Sequence, residues 1–251
     1  MNQIVIAGLW GLLGGSALLI GAAIGYAIRL PQRMISSVMA AGAGVLISAV
    51  AFDLMDEAYS RGGLAATAYG FVGGALVYTV ANLLVSRLGA KHRKRSGHNE
   101  GASIEGGAGA AIAIGALLDG IPESVVIGVS LLEGRGVSLA MVAAVFLSNV
   151  PEGLSSASGM KKAGHGRTYI FGVWGGIALA SGIAAAIGNA ALAGADPQLV
   201  AAITAVAAGA ILAMLTDTMI PEATESMHDA AGLITVAGFL AAFALSKLGG
   251  A

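Results

Sequence analysis

Long apolar segments restrict this chain more than any other feature of its sequence. Eight stretches of mostly apolar residues follow one another, and each is long enough to cross a bilayer as a helix, which takes about 20 residues. Lipid offers the backbone no hydrogen-bond partner, and no segment alternates as a strand would, so we predict an all-α integral membrane protein with a single domain, 1–251. The predicted helices are 3–28, 34–58, 65–87, 108–132, 136–160, 168–193, 198–221 and 229–248.

The composition agrees with a lipid environment and narrows the partners. Hydrophobic residues make up 57% of the chain and charged residues 11%, against roughly a quarter charged in an ordinary soluble domain. A net charge of −1 gives no reason to expect nucleic acid as a partner. The sequence has no cysteine, which excludes disulfides and thiolate metal ligands. The expected surroundings are therefore a lipid bilayer.

Charged residues in the connections predict the topology. The one long connection, 88–107, is polar and glycine-rich, and it separates three helices from five. With the N-terminus outside, most lysines and arginines fall in the inner connections, as the positive-inside rule requires. We therefore expect a 3+5 arrangement in the cell (inner) membrane, with a cytoplasmic loop at 88–107 and both termini extracytoplasmic. The inner set is Arg29, Arg33, Arg87, Lys91, Arg93, Lys94, Arg95, Lys161, Lys162 and Arg167, and the outer set is Arg61, Arg135 and Lys247.

Three acidic residues lie near the middle of predicted membrane helices. Asp119 and Glu123 are in the fourth helix and Glu152 is in the fifth, whereas no lysine, arginine or histidine lies at the same depth. An aspartate at the centre of a membrane helix costs about 2.5–3.5 kcal/mol on insertion scales. Either these acids are protonated and hydrogen-bonded between helices, or a cation neutralises them. The second interpretation predicts a cation site.

The segments around these acids repeat. "DGIPES" (119–124) and "SNVPEG" (148–153) share a polar residue, then Pro-Glu, then a small residue. In each, the first residue and the glutamate are four apart and share one helical face, so Ser148 joins Glu152 as a candidate ligand. Each proline removes a backbone bond, which would leave carbonyl oxygens beside the carboxylates. We therefore expect interrupted helices around an oxygen-rich cation site.

The helix number, the long inner loop and the twin Pro-Glu motifs resemble those of the ZIP (Zrt/Irt-like) family of divalent metal transporters, over essentially the whole chain. The resemblance implies a metal site midway across the membrane, with Glu123 and Glu152 as the motif glutamates and Asn149 as the motif amide. It also implies a homodimer and zinc as the transported substrate. No enzymatic activity and no resident cofactor are then expected.

The helix-four motif departs from the family pattern. Asp119 stands where the family commonly has histidine, Gly120 replaces an asparagine, and Ser148 opens the second motif. Every side-chain donor in the predicted site is therefore an oxygen. Imidazole suits zinc, iron and copper, whereas carboxylate and amide oxygens suit manganese, magnesium and calcium. Zinc stays the first expectation from the resemblance, with manganese and iron(II) close behind.

Further acids lie near the predicted helix ends. Asp53 and Glu57, in "AFDLMDEA", share a face near the outer end of the second helix and are candidates for an entrance that concentrates cations. Asp217 and Glu222, in "LTDTMIPEATES", are candidates for the cytoplasmic exit. The "IPEA" segment resembles the family's inner-end motif.

These observations predict a divalent metal cation transporter. One alternative is an intramembrane metal-dependent hydrolase that uses Asp119 and Glu123, or Glu123 and Glu152, as an acid/base pair or as ligands of a catalytic metal. The sequence contains no HExxH motif to support it. The other alternative is a proton-coupled carrier of an organic cation, because buried carboxylates also relay protons.

Overall fold

A computed structural model describes residues 2–87, 108–133, 137–227 and 229–249. The predicted cytoplasmic loop, 88–107, lies outside these residues. Every regular element in the described ranges is a helix, so the all-α prediction is confirmed for them. The helices are α1 Gln3–Ala27, α2 Gln32–Ala49, α3 Met55–Val85, α4 Ala108–Ser130, α5 Leu139–Lys162, α6 Arg167–Leu192, α7 Pro197–Met214, α8 Ile220–Glu225 and α9 Ala231–Gly249.

Polar residues begin several of the helices. The side chains of Asn2, Ser138 and Asp196 accept hydrogen bonds from backbone N–H groups in the first turns of α1, α5 and α7. These are the donors that a helix start leaves without a partner inside the helix. Pro197 follows as the first residue of α7, where its missing N–H costs nothing. The sequence therefore defines the start of these helices locally.

The long apolar helices give the chain the character of a membrane protein. Among the described residues, six helical segments are long and apolar enough to cross a membrane. Large apolar side chains also point outward; Leu64 is 73% exposed, Tyr69 82% and Leu233 76%. Such a surface needs lipid or another apolar partner to cover it. The six segments are Gln3–Ala27, Gln32–Val85, Leu139–Lys162, Arg167–Leu192, Pro197–Glu225 and Ala231–Leu248.

Breaks in the helices differ from those that the sequence predicts. Gln32–Val85 is one helical run of 54 residues, about 80 Å if straight. It changes direction at Gly63, whose φ of 68° and ψ of −177° are open to glycine only. The predicted loop between the second and third helices is thus reduced to one residue. Helices α4 and α5 continue through Pro122 and Pro151, so the expected interruption of these helices at the prolines was wrong.

Two wide turns interrupt other helices instead. The π turn Val50–Leu54 joins α2 to α3, and the π turn Leu215–Met219 joins α7 to α8. A π turn carries one extra residue per turn and is frequent at functional sites. Each of these two turns contains an aspartate, Asp53 in the first and Asp217 in the second. The irregular backbone therefore coincides with predicted entrance and exit residues.

The helices pack into two bundles. In the first bundle, α1 packs on α5 and α6, and α4 packs on α6. In the second bundle, α2 packs on α8 and α9, and α3 packs on α7. The bundles meet where α2 contacts α5 and where α4 contacts α7 and α3. The predicted central residues on α4 and α5 therefore belong to the first bundle and lie beside its boundary with the second.

The second bundle contains two helix pairs that pack in the same way but run in opposite directions. Gly44 of α2 lies against the backbone of Thr235 in α9, and Gly209 of α7 lies in the same way against Phe71 in α3. The partners in each pair run parallel, whereas α2 runs antiparallel to the α7–α8 segment, because Ser36 contacts Glu222 and Gly42 contacts Met219. The second bundle thus contains an inverted repeat of helix packing.

Candidate functional site

The predicted central residues are all buried. On α4, Asp119 and Glu123 are 1% and 2% exposed and share one helical face. On α5, Ser148, Asn149 and Glu152 are 1%, 4% and 5% exposed. Five polar side chains in two apolar helices are thus removed from the lipid-facing surface and turned into the protein.

Tyr78 is a partner of this site that the sequence did not indicate. Its hydroxyl donates a 2.7 Å hydrogen bond to Asp119 Oδ1, and both side chains are 1% exposed. Tyr78 belongs to α3 in the second bundle and Asp119 to the first, so the bond joins the two bundles. One signal was present, since Gly70, Gly74 and Tyr78 recur every four residues along the buried face of α3. Tyr78 is the polar member of that series.

The α5 donors are oriented by bonds to the backbone. Asn149 Nδ2 donates to the carbonyl of Gly14 in α1 at 3.0 Å, which leaves Oδ1 as the amide atom that can face a cation. Ser148 Oγ donates to the carbonyl of Val145 at 2.9 Å, so its lone pairs, not its proton, can face a cation. Both side chains can therefore act as oxygen ligands in this arrangement.

The charges of the buried residues are unbalanced. The buried polar side chains in the described part of the chain include four carboxylates, Asp119, Glu123, Glu152 and Glu222, and no lysine, arginine or histidine. Burying a carboxylate without an opposite charge is costly. The interior can therefore accommodate a cation or protons.

A ready-made carboxylate cage is not present. Among the residues that the structure describes, no three histidine, cysteine, aspartate or glutamate side chains are close enough to hold a metal ion. Asp119, Glu123 and Glu152 thus do not form a three-carboxylate cluster in this conformation. A cation bound here would need amide, hydroxyl or water oxygens, or a closer approach of α4 and α5.

The predicted entrance residues line an open cavity. Its volume is about 610 Å³, and its walls include Asp53, Asp56, Glu57 and Arg61. Ser246 Oγ of α9 donates to Asp53 Oδ1 at 2.6 Å, and Arg61 pairs with Glu57 at 3.2 Å. Three acids against one arginine leave the lining negative. Asp53 and Glu57, the two predicted entrance residues, line the same cavity.

The predicted exit residues occupy two different environments. Asp217 is exposed and accepts a 3.2 Å hydrogen bond from Asn82 of α3. Glu222 is 0% exposed, and its Oε1 accepts bonds from Ser155 Oγ at 2.9 Å and from Gln32 Nε2 at 3.3 Å. Glu222 thus connects α8 with α2 and α5 and does not line an open mouth.

The two π-turn aspartates have equivalent surroundings. Asp53, in the turn after α2, is bonded by a side chain of α9, and Asp217, in the turn after α7, is bonded by a side chain of α3. These are the two helix pairs whose packing is repeated in reverse. The entrance and exit candidates are therefore related positions in the inverted repeat.

The sequence matches no protein-family model, and no curated protein is significantly similar to it.

Proposed function

We propose that this chain carries a divalent metal cation across the membrane, with Asp119, Glu123 and Glu152 as the central ligands. The observation that carries the proposal is the set of buried carboxylates with no buried basic side chain among the described residues. A divalent cation would neutralise two of these charges in a region that water does not reach. Buried acids of this kind are typical of ion pathways.

The proposed transporter crosses the membrane eight times in a 3+5 arrangement, with both termini outside. The change of direction at Gly63 supports two crossings within Gln32–Val85, because a straight run would be far longer than a bilayer core of about 30 Å. The lysines and arginines of the short connections support the orientation. The ZIP-like motif glutamates then lie midway across the membrane.

The donor set favours hard or borderline metals. Asp119, Glu123 and Glu152 offer carboxylate oxygens, while Asn149 offers an amide oxygen and Ser148 a hydroxyl. Zinc accepts carboxylate oxygen, as do manganese and iron(II). We propose zinc as the first substrate because of the ZIP resemblance, with manganese and iron(II) next, and a homodimer as the assembled form.

The cation path begins at the acidic cavity around Asp53 and Glu57, where negative charge raises the local concentration of cations. It continues to the central site between the bundles and leaves past Asp217 and Glu222. Rocking of the first bundle against the second would expose the central site to each side in turn. The bonds from Tyr78 to Asp119 and from Ser155 to Glu222 join the two bundles, so such a motion must exchange them.

The central test measures metal entry into liposomes that contain the purified protein and an internal indicator. We expect Glu123→Gln/Glu152→Gln to reduce uptake of zinc, manganese and iron(II) at least a hundredfold, to the level of empty liposomes, because the amides cannot neutralise the cation. Asp229→Asn makes the same chemical change at an exposed position outside the helices and should leave uptake unchanged. Wild-type uptake should fall as pH is lowered, since protons compete for the ligands.

Equal uptake by the glutamine variant and the wild type would remove the central site from the proposal. Absence of flux for every metal, in a protein with an intact helical spectrum, would contradict transport itself.

A further inference from the structure

A basic pocket lies where α1 and α5 end. It is about 320 Å³ in volume, and the cations Arg29, Lys161 and Lys162 line it together with Gly25 and Ser158. None of the described residues that line it is acidic. The metal path does not include this pocket, since a concentration of positive charge repels a divalent cation.

The charge of the pocket exceeds what the helix ends explain. A cation near a helix C-terminus is stabilised by the helix dipole, which is equivalent to about half a negative charge. Two helices end here, α1 at Ala27 and α5 at Lys162, so their dipoles offset about one of the three positive charges. The dipoles thus account for only part of the positive charge of the lining, and a lining without a described acidic residue attracts an anion.

Lys161 is held in place without being neutralised. Its ammonium donates to the carbonyl of Tyr26 and lies 4.7 Å from the centre of the Tyr26 ring. A carbonyl and a ring face orient the ammonium but carry no net negative charge. An anion entering the pocket therefore meets one cation that is already ordered, which lowers the entropy cost of binding.

The surroundings of the pocket fit a lipid. Ile28 is 54% exposed beside the cations, and Leu30 also lines the pocket, so apolar surface adjoins the charge. Arg167 lies over Phe171, and Phe171 packs edge-on against Tyr26, giving the aromatic and basic belt that is common at a membrane interface. Basic pockets between membrane helices bind anionic headgroups. We propose that this pocket binds the phosphate of an anionic phospholipid headgroup, with an acyl chain along Ile28.

The test uses the full chain in neutral detergent after its lipid has been removed. Native mass spectrometry would follow binding of phosphatidylglycerol, with phosphatidylcholine of the same acyl chains and inorganic phosphate as separate probes. The pocket variant is Arg29→Gln/Lys162→Gln, which leaves Lys161 bonded to α1. The control is Arg33→Gln/Arg87→Gln, which removes equal charge from exposed residues of the inner set that do not line the pocket.

We expect phosphatidylglycerol to bind the wild type and to bind the pocket variant about thirtyfold more weakly, roughly fivefold for each cation removed. The control should stay within twofold of the wild type, and phosphatidylcholine should bind more weakly than phosphatidylglycerol. Arg29→Gln alone should lose about fivefold. All the substituted side chains are exposed, and an unchanged melting temperature would verify folding.

If the pocket variant and the control both bound phosphatidylglycerol equally weakly, the attraction would be a diffuse property of the basic surface, and this result would overturn the pocket as the binding site. Equal binding of phosphatidylcholine and phosphatidylglycerol would overturn a role for the negative charge. If inorganic phosphate bound as tightly as phosphatidylglycerol and were weakened equally by Arg29→Gln, the ligand would be a soluble anion and the lipid proposal would be overturned.

Discussion

Each of four candidate acids accepts a hydrogen bond from a neutral side chain of another helix. A hydroxyl or amide donor fixes the direction of a carboxylate but adds no positive charge, whereas lysine or arginine would neutralise it. These donors orient the four acids without themselves adding positive charge. The pairs are Asp53 with Ser246, Asp119 with Tyr78, Asp217 with Asn82, and Glu222 with Ser155.

Removal of the Tyr78 hydroxyl tests this arrangement. Tyr78→Phe keeps the ring in the core and deletes the bond to Asp119. A hydrogen bond to a charged group contributes about 1.5–3 kcal/mol. Because Asp119 keeps its charge and loses its orientation, we expect the metal concentration for half-maximal flux to rise about tenfold, with the maximal flux within twofold of wild type. Liposome uptake over a range of metal concentrations would measure both.

Tyr69→Phe is the matched control, because Tyr69 lies on the same helix and is 82% exposed. If the Tyr78 and Tyr69 variants gave the same metal dependence, the Tyr78 hydroxyl would have no role at the site.

The positions of the central acids were predictable from the sequence, but their partners were not. Charge inside an apolar segment is visible in the sequence and has a known cost, so Asp119, Glu123 and Glu152 could be identified as buried. The Tyr78 bond depends on how α3 packs beside α4, and no local pattern encodes that contact. The role of Glu222 as a buried connection likewise follows from the packing of α8 against α2 and α5.

Helix contacts depend on glycines that allow backbones to touch. A Cβ on Gly209 would lie 1.9 Å from the carbonyl oxygen of Phe71, and a Cβ on Gly21 would lie 2.1 Å from that of Val150. Neither carbonyl can move without displacing its helix. Small residues at four-residue spacing predict close approach, and Gly21 and Gly74 confirm it. In contrast, Gly176 follows Gly172 at the same spacing, but a Cβ added to Gly176 would have no atom within 4 Å.

Alanine at Gly209 should separate α7 from α3. Overpacking a close contact costs typically 1–3 kcal/mol, and for a chain of this size each kcal/mol changes the melting temperature by about 2–4 °C. We therefore expect Gly209→Ala to lower the apparent melting temperature in detergent by roughly 2–12 °C. Gly176→Ala is the control and should not lower it, since open space surrounds that position and alanine favours a helix. Equal melting of the two variants would contradict the close contact.

Helix existence was predictable, whereas the irregular turns were not. Length and hydropathy identify the long helical segments, and the predicted bounds fall within about three residues of the observed ones for α1, α4, α5, α6 and α9. The prolines were expected to interrupt α4 and α5, but the helices continue through Pro122 and Pro151 because neighbouring helices hold them. The π turns at Val50–Leu54 and Leu215–Met219 contain no proline or glycine, so no residue type indicated them.

At the scale of the whole molecule, the two bundles meet through few polar contacts. The Tyr78–Asp119 and Ser155–Glu222 bonds join them, and apolar side chains fill much of the remaining boundary between α2 and α5. Apolar contacts slide more readily than hydrogen-bonded ones, because they have no fixed direction. Relative motion of the bundles is thus compatible with stable packing inside each bundle.

The eight-crossing topology can be tested by labelling, because the chain has no cysteine of its own. We expect Ser60→Cys and Ala193→Cys to react with a membrane-impermeant maleimide from outside intact cells. Thr168→Cys should react at least tenfold less until the membrane is permeabilised. All three positions are exposed. Labelling of Ser60→Cys and Thr168→Cys from the same side would contradict the eight-crossing arrangement, which places three crossings between them.

If the protein is the proposed carrier, the reversed packing of α2 on α9 and of α7 on α3 affects the equilibrium between its two states. When two halves make matching contacts in opposite directions, the state open to one side and the state open to the other are built from equivalent interactions. The free energies of the two states are then nearly equal. Departures from the repeat, such as Ser246 at the position equivalent to Asn82, determine which state is more populated. A difference of about 1.4 kcal/mol would already favour one state tenfold.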